Sequence, residues 1–237
     1  MNLASPSNVR VVLAELGINP GKARGQNFLV DRNILDIIVR AAGITAEDRI
    51  LEVGAGLGIL TAELAARAGQ VTAVEIDRRL HDHLSRQFND RANLSLLRAD
   101  IMDTDLESLA GGDNCKVVAN LPYSIASRLL VDLADLRKPP AVVVATVQRE
   151  VAERLCAMPG NADYGALSVL MQSVYDARIV HRRISASCFW PKPGIESSVA
   201  KLERKPGGSQ DVRARRIFKE IVRSFFMQRR KQALSLL

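Results

Sequence analysis

Aromatic residues are scarce in this 237-residue chain: one Trp, three Tyr and six Phe, 4% of the whole. Each ring therefore needs a reason for its place. Cysteine is scarcer. Cys115, Cys156 and Cys188 are odd in number and far apart, so neither a disulfide framework nor a thiolate metal site is expected, and a reducing compartment is. Of the three histidines, His81 and His83 stand two apart on what reads as a helix, where they point different ways and make a poor metal pair. No metal is expected. No apolar run approaches the about 18 residues a membrane span needs. The opening MNLASPSNVRVVLAELG lacks the charged start and apolar block of a secretory signal. A cytoplasmic protein is the expectation.

What is there is a 47% hydrophobic chain, long enough for one full core with a small appendage. Its formal charge of +7 is unevenly spread. Between Lys201 and Lys231 eleven Lys/Arg face three Asp/Glu, a local net of +8 that leaves the remainder near −1. A basic stripe of that kind suits phosphate contacts; a solvated helix face is the plain alternative.

Short β-rich runs alternate with helical patterns. Residues 49–56, 70–77, 94–100, 115–120 and 141–148 read as strands, with helices near 58–68, 78–89, 124–136 and 149–157. Several of the strand runs are continuously apolar, as in strands covered on both faces. The alternation predicts βαβ units and a parallel sheet, an α/β fold. Two later runs, 174–184 and 197–204, have no long helix between them and are expected to form an antiparallel hairpin at one edge. KPGGSQ, 205–210, reads as a linker. After it, Ile217, Ile221 and Phe225 at four-residue spacing mark an amphipathic helix. The expected division is a catalytic domain over 1–205 and a basic helical segment over 206–237.

The first loop, LEVGAGLGILT, places Gly54, Gly56 and Gly58 between a strand and a helix. Glycines here allow a tight turn and close approach of a ligand to the backbone. The dinucleotide fingerprint G-x-G-x-x-G is not met, since position 59 is Ile. Glu75 ends the second strand and can accept from both ribose hydroxyls. Asp100 ends the third and can accept from an adenine amino group. A plain turn and solvated strand ends are the alternatives, but all three features sit at carboxyl ends of parallel strands, where such sheets bind ligands. A nucleoside cofactor is the reading.

The fourth strand delivers Asn120-Leu121-Pro122-Tyr123 beside it. An exocyclic amine attacks poorly because its lone pair is delocalised into the ring. An acceptor on each N–H favours the tetrahedral form and stabilises the charge that develops. The Asn120 side-chain oxygen is one candidate acceptor and the Leu121 carbonyl a second. Pro122 fixes the direction of that carbonyl. Tyr123 offers a face on which a base can stack. Phe189 is the candidate for the opposite face, with Trp190 its rival. Taken singly, Asn120 fits a helix N-cap, Pro122 a first-turn proline, and the two rings simple core. As a set they point to methylation of an amino group.

The sequence resembles the KsgA-like, S-adenosylmethionine-dependent ribosomal RNA small-subunit adenine dimethyltransferases. The matching pieces run nearly the whole chain in order: GQNFLVD at 25–31, EVGAGLGILT at 52–61, AVEID at 73–77, RAD at 98–100 and ANLPYSIAS at 119–127. They continue with VQREVAERL at 147–155, YGALSV at 164–169, FWPKPGIESSV at 189–199 and QRRK at 228–231. N-L-P-Y alone is less specific, because DNA adenine methylases carry similar tetrads. The resemblance implies a class I, Rossmann-like methyltransferase with a mostly parallel seven-stranded sheet and a small helical C-terminal domain. It implies that Asn27 and Leu29 contact the methionine end or cap the cofactor, that Gly54 contacts it through backbone, and that Glu75 and Asp100 hold ribose and adenine. Asn120 then touches both cofactor and target amine, and Tyr123 and Phe189 sandwich the target adenine. Gln26 is read as structural.

The implied partner is small-subunit ribosomal RNA or the small ribosomal subunit, met by a monomer, with Arg229, Arg230 and Lys231 gripping phosphates. Gly194 stands where the family often has Lys, so a weakened phosphate contact or an altered loop is expected there. The family's helical domain usually runs beyond the QRRK helix, so here, with Leu237 last, it is expected to be shortened. Two rivals share the scaffold. One is the antibiotic-resistance methylase of large-subunit RNA; the other is a non-catalytic ribosome-assembly or RNA-binding factor. GLGILT, YGALSV and FWPKPGIESS favour the small-subunit family, and the presence of Glu75, Asp100 and Asn120 favours catalysis.

Overall fold

A computed structural model describes residues 5–19, 26–207 and 212–227. Seven strands form one sheet in the order β4-β3-β2-β5-β6-β9-β7. They are β2 (Arg49–Val53), β3 (Gln70–Val74), β4 (Leu94–Leu97), β5 (Cys115–Asn120), β6 (Val142–Gln148), β7 (Tyr175–Ile184) and β9 (Ser197–Arg204). The first five pair in parallel. β9 runs antiparallel to both β6 and β7, so the expected hairpin is present and β7 is the edge. A second, two-stranded sheet pairs β1 (Phe28–Leu29) with β8 (Phe189–Trp190).

The central strands bury both faces, and their period-2 alternation divides the core. Val117 and Val143 face a cluster with Leu129, Leu130 and Leu133 of α6 (Ala126–Ala134), Leu155 of α7 (Arg149–Cys156) and Met171 of α8 (Ala166–Gln172). Val118 and Val144 face the opposite cluster, with Leu35 and Ile38 of α2 (Arg32–Ala42) and Leu64 of α3 (Ile59–Ala65). This explains the continuously apolar strand runs. The strand read over 49–56 stops at Val53 because Gly54 has φ +75°, outside the strand region.

The helices near 58–68, 78–89, 124–136 and 149–157 are present, the second as α4 (Arg78–Gln87). α2 was not among the expected helices. Ile34, Leu35, Ile38, Val39 and Ala42 make its buried stripe, Asp31 caps it by accepting from the Ile34 N–H at 3.1 Å, and Gly43 ends it in the left-handed conformation. A short helix α1 (Pro6–Glu15) packs Val9, Val12 and Leu13 against Phe28, Leu57 and Leu80. α5 (Leu106–Ala110) follows β4.

The last helix, α9 (Val212–Met227), lies where the spacing of Ile217, Ile221 and Phe225 placed it, but it is seated differently. Ile217 and Ile221 are exposed, at 49% and 41%, whereas Val222 is buried. Cations help to hold the helix, beside Val222 and the edge-on contact of Phe226 with Tyr164. The Arg215 guanidinium donates to the Ala134 and Leu136 carbonyls at the C-terminal end of α6, and Lys219 pairs with Asp132 and Asp135. Guanidinium on the last carbonyls of a helix is favourable for both hydrogen bonding and dipole.

Gly58 combines a positive φ (+84°) with lack of room: a Cβ there meets Leu84 and Phe88 at 2.7 Å. Gly43 has a positive φ and nothing within 4 Å. Gly58→Ala is therefore expected to cost about 2–4 kcal/mol, strain plus overpacking, and Gly43→Ala only about 1–2. Urea denaturation checks this; equal losses would remove the packing contribution.

Candidate active site

β2 and β5 are neighbours, yet the chain leaves β2 for β3 and β4 on one side before returning to β5 on the other. Connections therefore diverge past the carboxyl ends of β2 and β5 and leave a crevice between them. A cavity of about 470 Å³ occupies it. The glycine loop forms one wall, residues 75–77 and 100–101 a second, and Asn120–Ile125 a third. Asn27 and Leu29 reach in from the segment around β1.

Glu75 lies one residue past β3 and is 4% exposed. Its Oε2 accepts from the Gly56 N–H and its Oε1 from the Asp77 N–H, both at 2.9 Å. Burial pushes its carboxyl up, against those two N–H groups, which favour the charged form. The same bonds fix the carboxylate between the glycine loop and the start of α4. Asp100 is half-buried and accepts from the Met102 N–H at 2.9 Å through Oδ1, capping a short 3₁₀ turn at Ile101–Asp103. Its other carboxylate oxygen is not used by that cap.

Asn120 is no helix cap, since α6 starts at Ala126 after Ile125. Its Nδ2 donates to the Asn27 carbonyl at 2.8 Å. That bond commits the amide nitrogen and leaves Oδ1 as the acceptor. The Leu121 N–H donates to the Thr146 carbonyl at 3.2 Å, tying the tetrad to the end of β6. Among the described residues no donor is directed at the Leu121 carbonyl. The Tyr123 hydroxyl is 2.5 Å from Ser197 Oγ.

Asn27, Leu29, Gly54, Glu75, Asp100 and the tetrad Asn120, Leu121, Pro122 and Tyr123 thus line one cavity. Phe189 does not. It is 2% exposed, in the cluster that includes Leu29, Ile184 and Val199. Pairing of β8 with β1 sets Phe189 opposite Leu29 and holds its ring in the core. Trp190, its rival, is half-buried beneath Arg10, whose guanidinium lies 4.7 Å from the ring centroid. As found, neither ring forms the second stacking face. Arg229, Arg230 and Lys231 lie outside the described residues.

Three residues escaped the sequence reading. Ile76 lines the cavity and is 60% exposed, an apolar side chain beside a buried acid. Ser197 is fully buried against Tyr123. Glu52, on β2 beneath the loop, is 2% exposed and also lines the cavity. Burial pushes its carboxyl up to about 8, and neighbouring Glu75 adds to the shift. The Thr61 hydroxyl lies near enough to temper this, yet among the described residues neither Thr61 Oγ1 nor Glu52 Oε2 has a hydrogen-bond partner in good geometry. An acid inside an apolar strand that ends in G-x-G was the available signal.

The model of a known family, ribosomal RNA adenine dimethylase, matches residues 19–236. The chain belongs to that family. Among its relatives, the ribosomal RNA small subunit methyltransferase A of Pelotomaculum thermopropionicum is 42% identical, covering 98% of this chain and 82% of its own length. That of Moorella thermoacetica is 40% identical, covering all of this chain and 85% of its own. Among solved structures, a dimethyladenosine transferase from Plasmodium falciparum superposes with a TM-score of 0.75 at 28% identity, over 88% of this chain and 74% of that one. The 23S rRNA methyltransferase ErmE superposes at 0.72 with 26% identity, over 89% and 83%.

The enzymes of this family draw their methyl group from S-adenosylmethionine, and the cavity fits that cofactor. Its volume is in the range of nucleotide-sized sites. Glu75 and Asp100 supply acceptors, Ile76 and Ile101 an apolar lining, and Gly54 and Gly56, both at positive φ, keep side chains out of the loop.

Glu52 generates a stability prediction. Its ordinary value is about 4.5, and the folded value is about 8. Between those values the folded chain holds a proton that the unfolded chain has lost, so stability falls as pH rises through the window and stays low above it. Glu52→Gln should match the parent near pH 5, exceed it increasingly up to pH 8, and hold that gap beyond. Thermal unfolding across pH checks this; a gap independent of pH would show that Glu52 is ionised throughout.

Proposed function

We propose that this chain transfers methyl groups from S-adenosylmethionine to an adenine amino nitrogen of small-subunit ribosomal RNA, twice on each target base. One observation carries most of the reading. Asn120, with its amide turned by the Asn27 carbonyl, stands beside the Leu121 carbonyl and the Tyr123 ring at the mouth of a cofactor-sized cavity. That is an acceptor pair and a stacking face for a flat base with an exocyclic amine.

The cofactor supplies an activated methyl on a sulfonium centre, so the protein needs neither metal nor strong base for transfer. Asn27, Leu29, Gly54, Glu75 and Asp100 hold and orient it. In the first transfer Asn120 Oδ1 and the Leu121 carbonyl accept from the two amine hydrogens as nitrogen becomes tetrahedral and positive, and one of these then leaves as a proton to water; in the second, one acceptor takes the N–H that remains, and that proton too is lost to water. Pro122 holds the Leu121 carbonyl in direction. Tyr123 takes the base on its face, and the base must be splayed from its helix to arrive. Phe189 takes the second face only if the segment around β8 turns it out of the core; as placed, it backs Leu29. Residues 1–205 carry the transfer and 206–237 add basic RNA contacts, Arg229, Arg230 and Lys231 among them. The protein works as a cytoplasmic monomer; among the described residues no helix is long and apolar enough to cross a membrane.

The test is to incubate the protein with labelled S-adenosylmethionine and either unmethylated small subunits or unmethylated large-subunit RNA. Dimethyladenosine on the small subunit is expected. Label on the large-subunit RNA would move the chain to the function of ErmE, and label on neither would overturn the enzyme reading. Asn120→Ala should lower transfer roughly 10²–10³-fold with particle binding little changed; equal loss of both would break that division. Neutralising Arg229, Arg230 and Lys231 should reduce the salt slope of RNA binding by roughly 2; an unchanged slope would remove them from the interface.

A further inference from the structure

We infer that Ser197 is a positioning residue for the target base, acting through the Tyr123 hydroxyl. The inference rests on the proposed placement of a base against Tyr123. A tyrosine ring attached only through its backbone can swing about two side-chain dihedrals. Here both ends of the ring are held. Pro122 precedes it, and the hydroxyl at the far end lies 2.5 Å from Ser197 Oγ, across 74 residues of sequence. The anchor is rigid: Ser197 is fully buried and opens β9, opposite Gln148 of β6 and Ile184 of β7. The ring itself is only half-buried and lines the cavity, so one part of it remains for a ligand while its edge is tied to the sheet.

The tetrad is thus clamped twice from outside its own strand. Asn27 sets the amide of Asn120, and Ser197 sets the ring of Tyr123. A face fixed before the base arrives loses little rotamer freedom on binding and holds the amine at the distance that transfer needs. Without Ser197 the hydroxyl is left half-buried and unpaired, and the ring is free to tilt.

The neighbouring Ser198 provides a control. It is equally buried, but its hydroxyl donates to the Arg182 carbonyl at 2.5 Å, where the pairing of β7 with β9 is irregular. A merely structural serine behaves like Ser198; a positioning serine does not.

Methyl transfer to small subunits is measured for the parent, Ser197→Ala, Ser197→Thr, Ser198→Ala, Tyr123→Phe and the Ser197→Ala/Tyr123→Phe double variant. Cofactor affinity by calorimetry and Tm are measured alongside. The expected result is about a tenfold loss of kcat/KM for RNA in Ser197→Ala and in Tyr123→Phe, with no further loss in the double variant. Cofactor affinity stays unchanged, and Ser197→Thr restores most of the activity. Ser198→Ala lowers Tm without that kinetic loss. Losses that multiply in the double variant, or a Ser198→Ala effect equal to that of Ser197→Ala, would overturn the inference. A parent inactive on both ribosomal substrates would overturn the proposed function instead. The bond itself is then read by absorbance titration of the phenol. Loss of the Ser197 partner should raise the Tyr123 titration further, since burial already raises it and that hydrogen bond opposes the rise; no change would show that the hydroxyls are not coupled.

Discussion

The side-by-side, parallel pairing of β2 and β5 is the constraint on which the rest depends. Because the chain travels outward through β3 and β4 before coming back, the connections that leave these two strands diverge at their carboxyl ends. The space left there receives the glycine loop from one strand and Asn120–Tyr123 from the other. Each strand is buried on both faces, so a slip in register would mispack side chains in both clusters at once. The relative position of cofactor loop and tetrad is set by the core, not by the loops themselves.

Within that crevice two acids are treated differently. Glu75 is given two backbone N–H donors, whereas Glu52 is given none in good geometry among the described residues. Both carboxyls are raised by burial, but only Glu75 has the hydrogen bonds that favour its charge. The difference assigns them separate tasks. Glu75 is oriented by its two donors, while burial favours the neutral form of Glu52 and so lowers the charge packed under the glycine loop. A second carboxylate at that depth would repel the first.

Much of this was legible in the chain because the signals are local. Strands covered on both faces read as continuous apolar runs, and β5 and β9 fall on the residues expected for them. Asn-Leu-Pro-Tyr after such a run is a local pattern too. What was not legible depends on partners far along the chain. Phe189 looked available for stacking until β8 paired with β1 and turned its ring inward. Ser197 was placed at the start of a strand, but its contact with Tyr123, 74 residues away, left no mark in the sequence. The periodicity of α9 gave a helix but not its seat, because Arg215 and Lys219 dock it through carbonyls and carboxylates that no apolar stripe reveals.

The solved structures sharpen what distinguishes function on this scaffold. A dimethyladenosine transferase and a 23S rRNA methyltransferase superpose almost equally well, at TM-scores of 0.75 and 0.72. Backbone architecture alone therefore does not choose between these activities. Choice of RNA must come from surfaces outside the crevice, while the crevice answers a narrower demand. A delocalised amine becomes a competent nucleophile only if its hydrogens and its ring plane are held in the pyramidalised arrangement. In the proposed reading, the hydrogen bonds between Asn120 and Asn27 and between Tyr123 and Ser197 meet that demand by fixing an amide and a ring before any base arrives. On that reading, rigidity at those two points takes the place of a strong base.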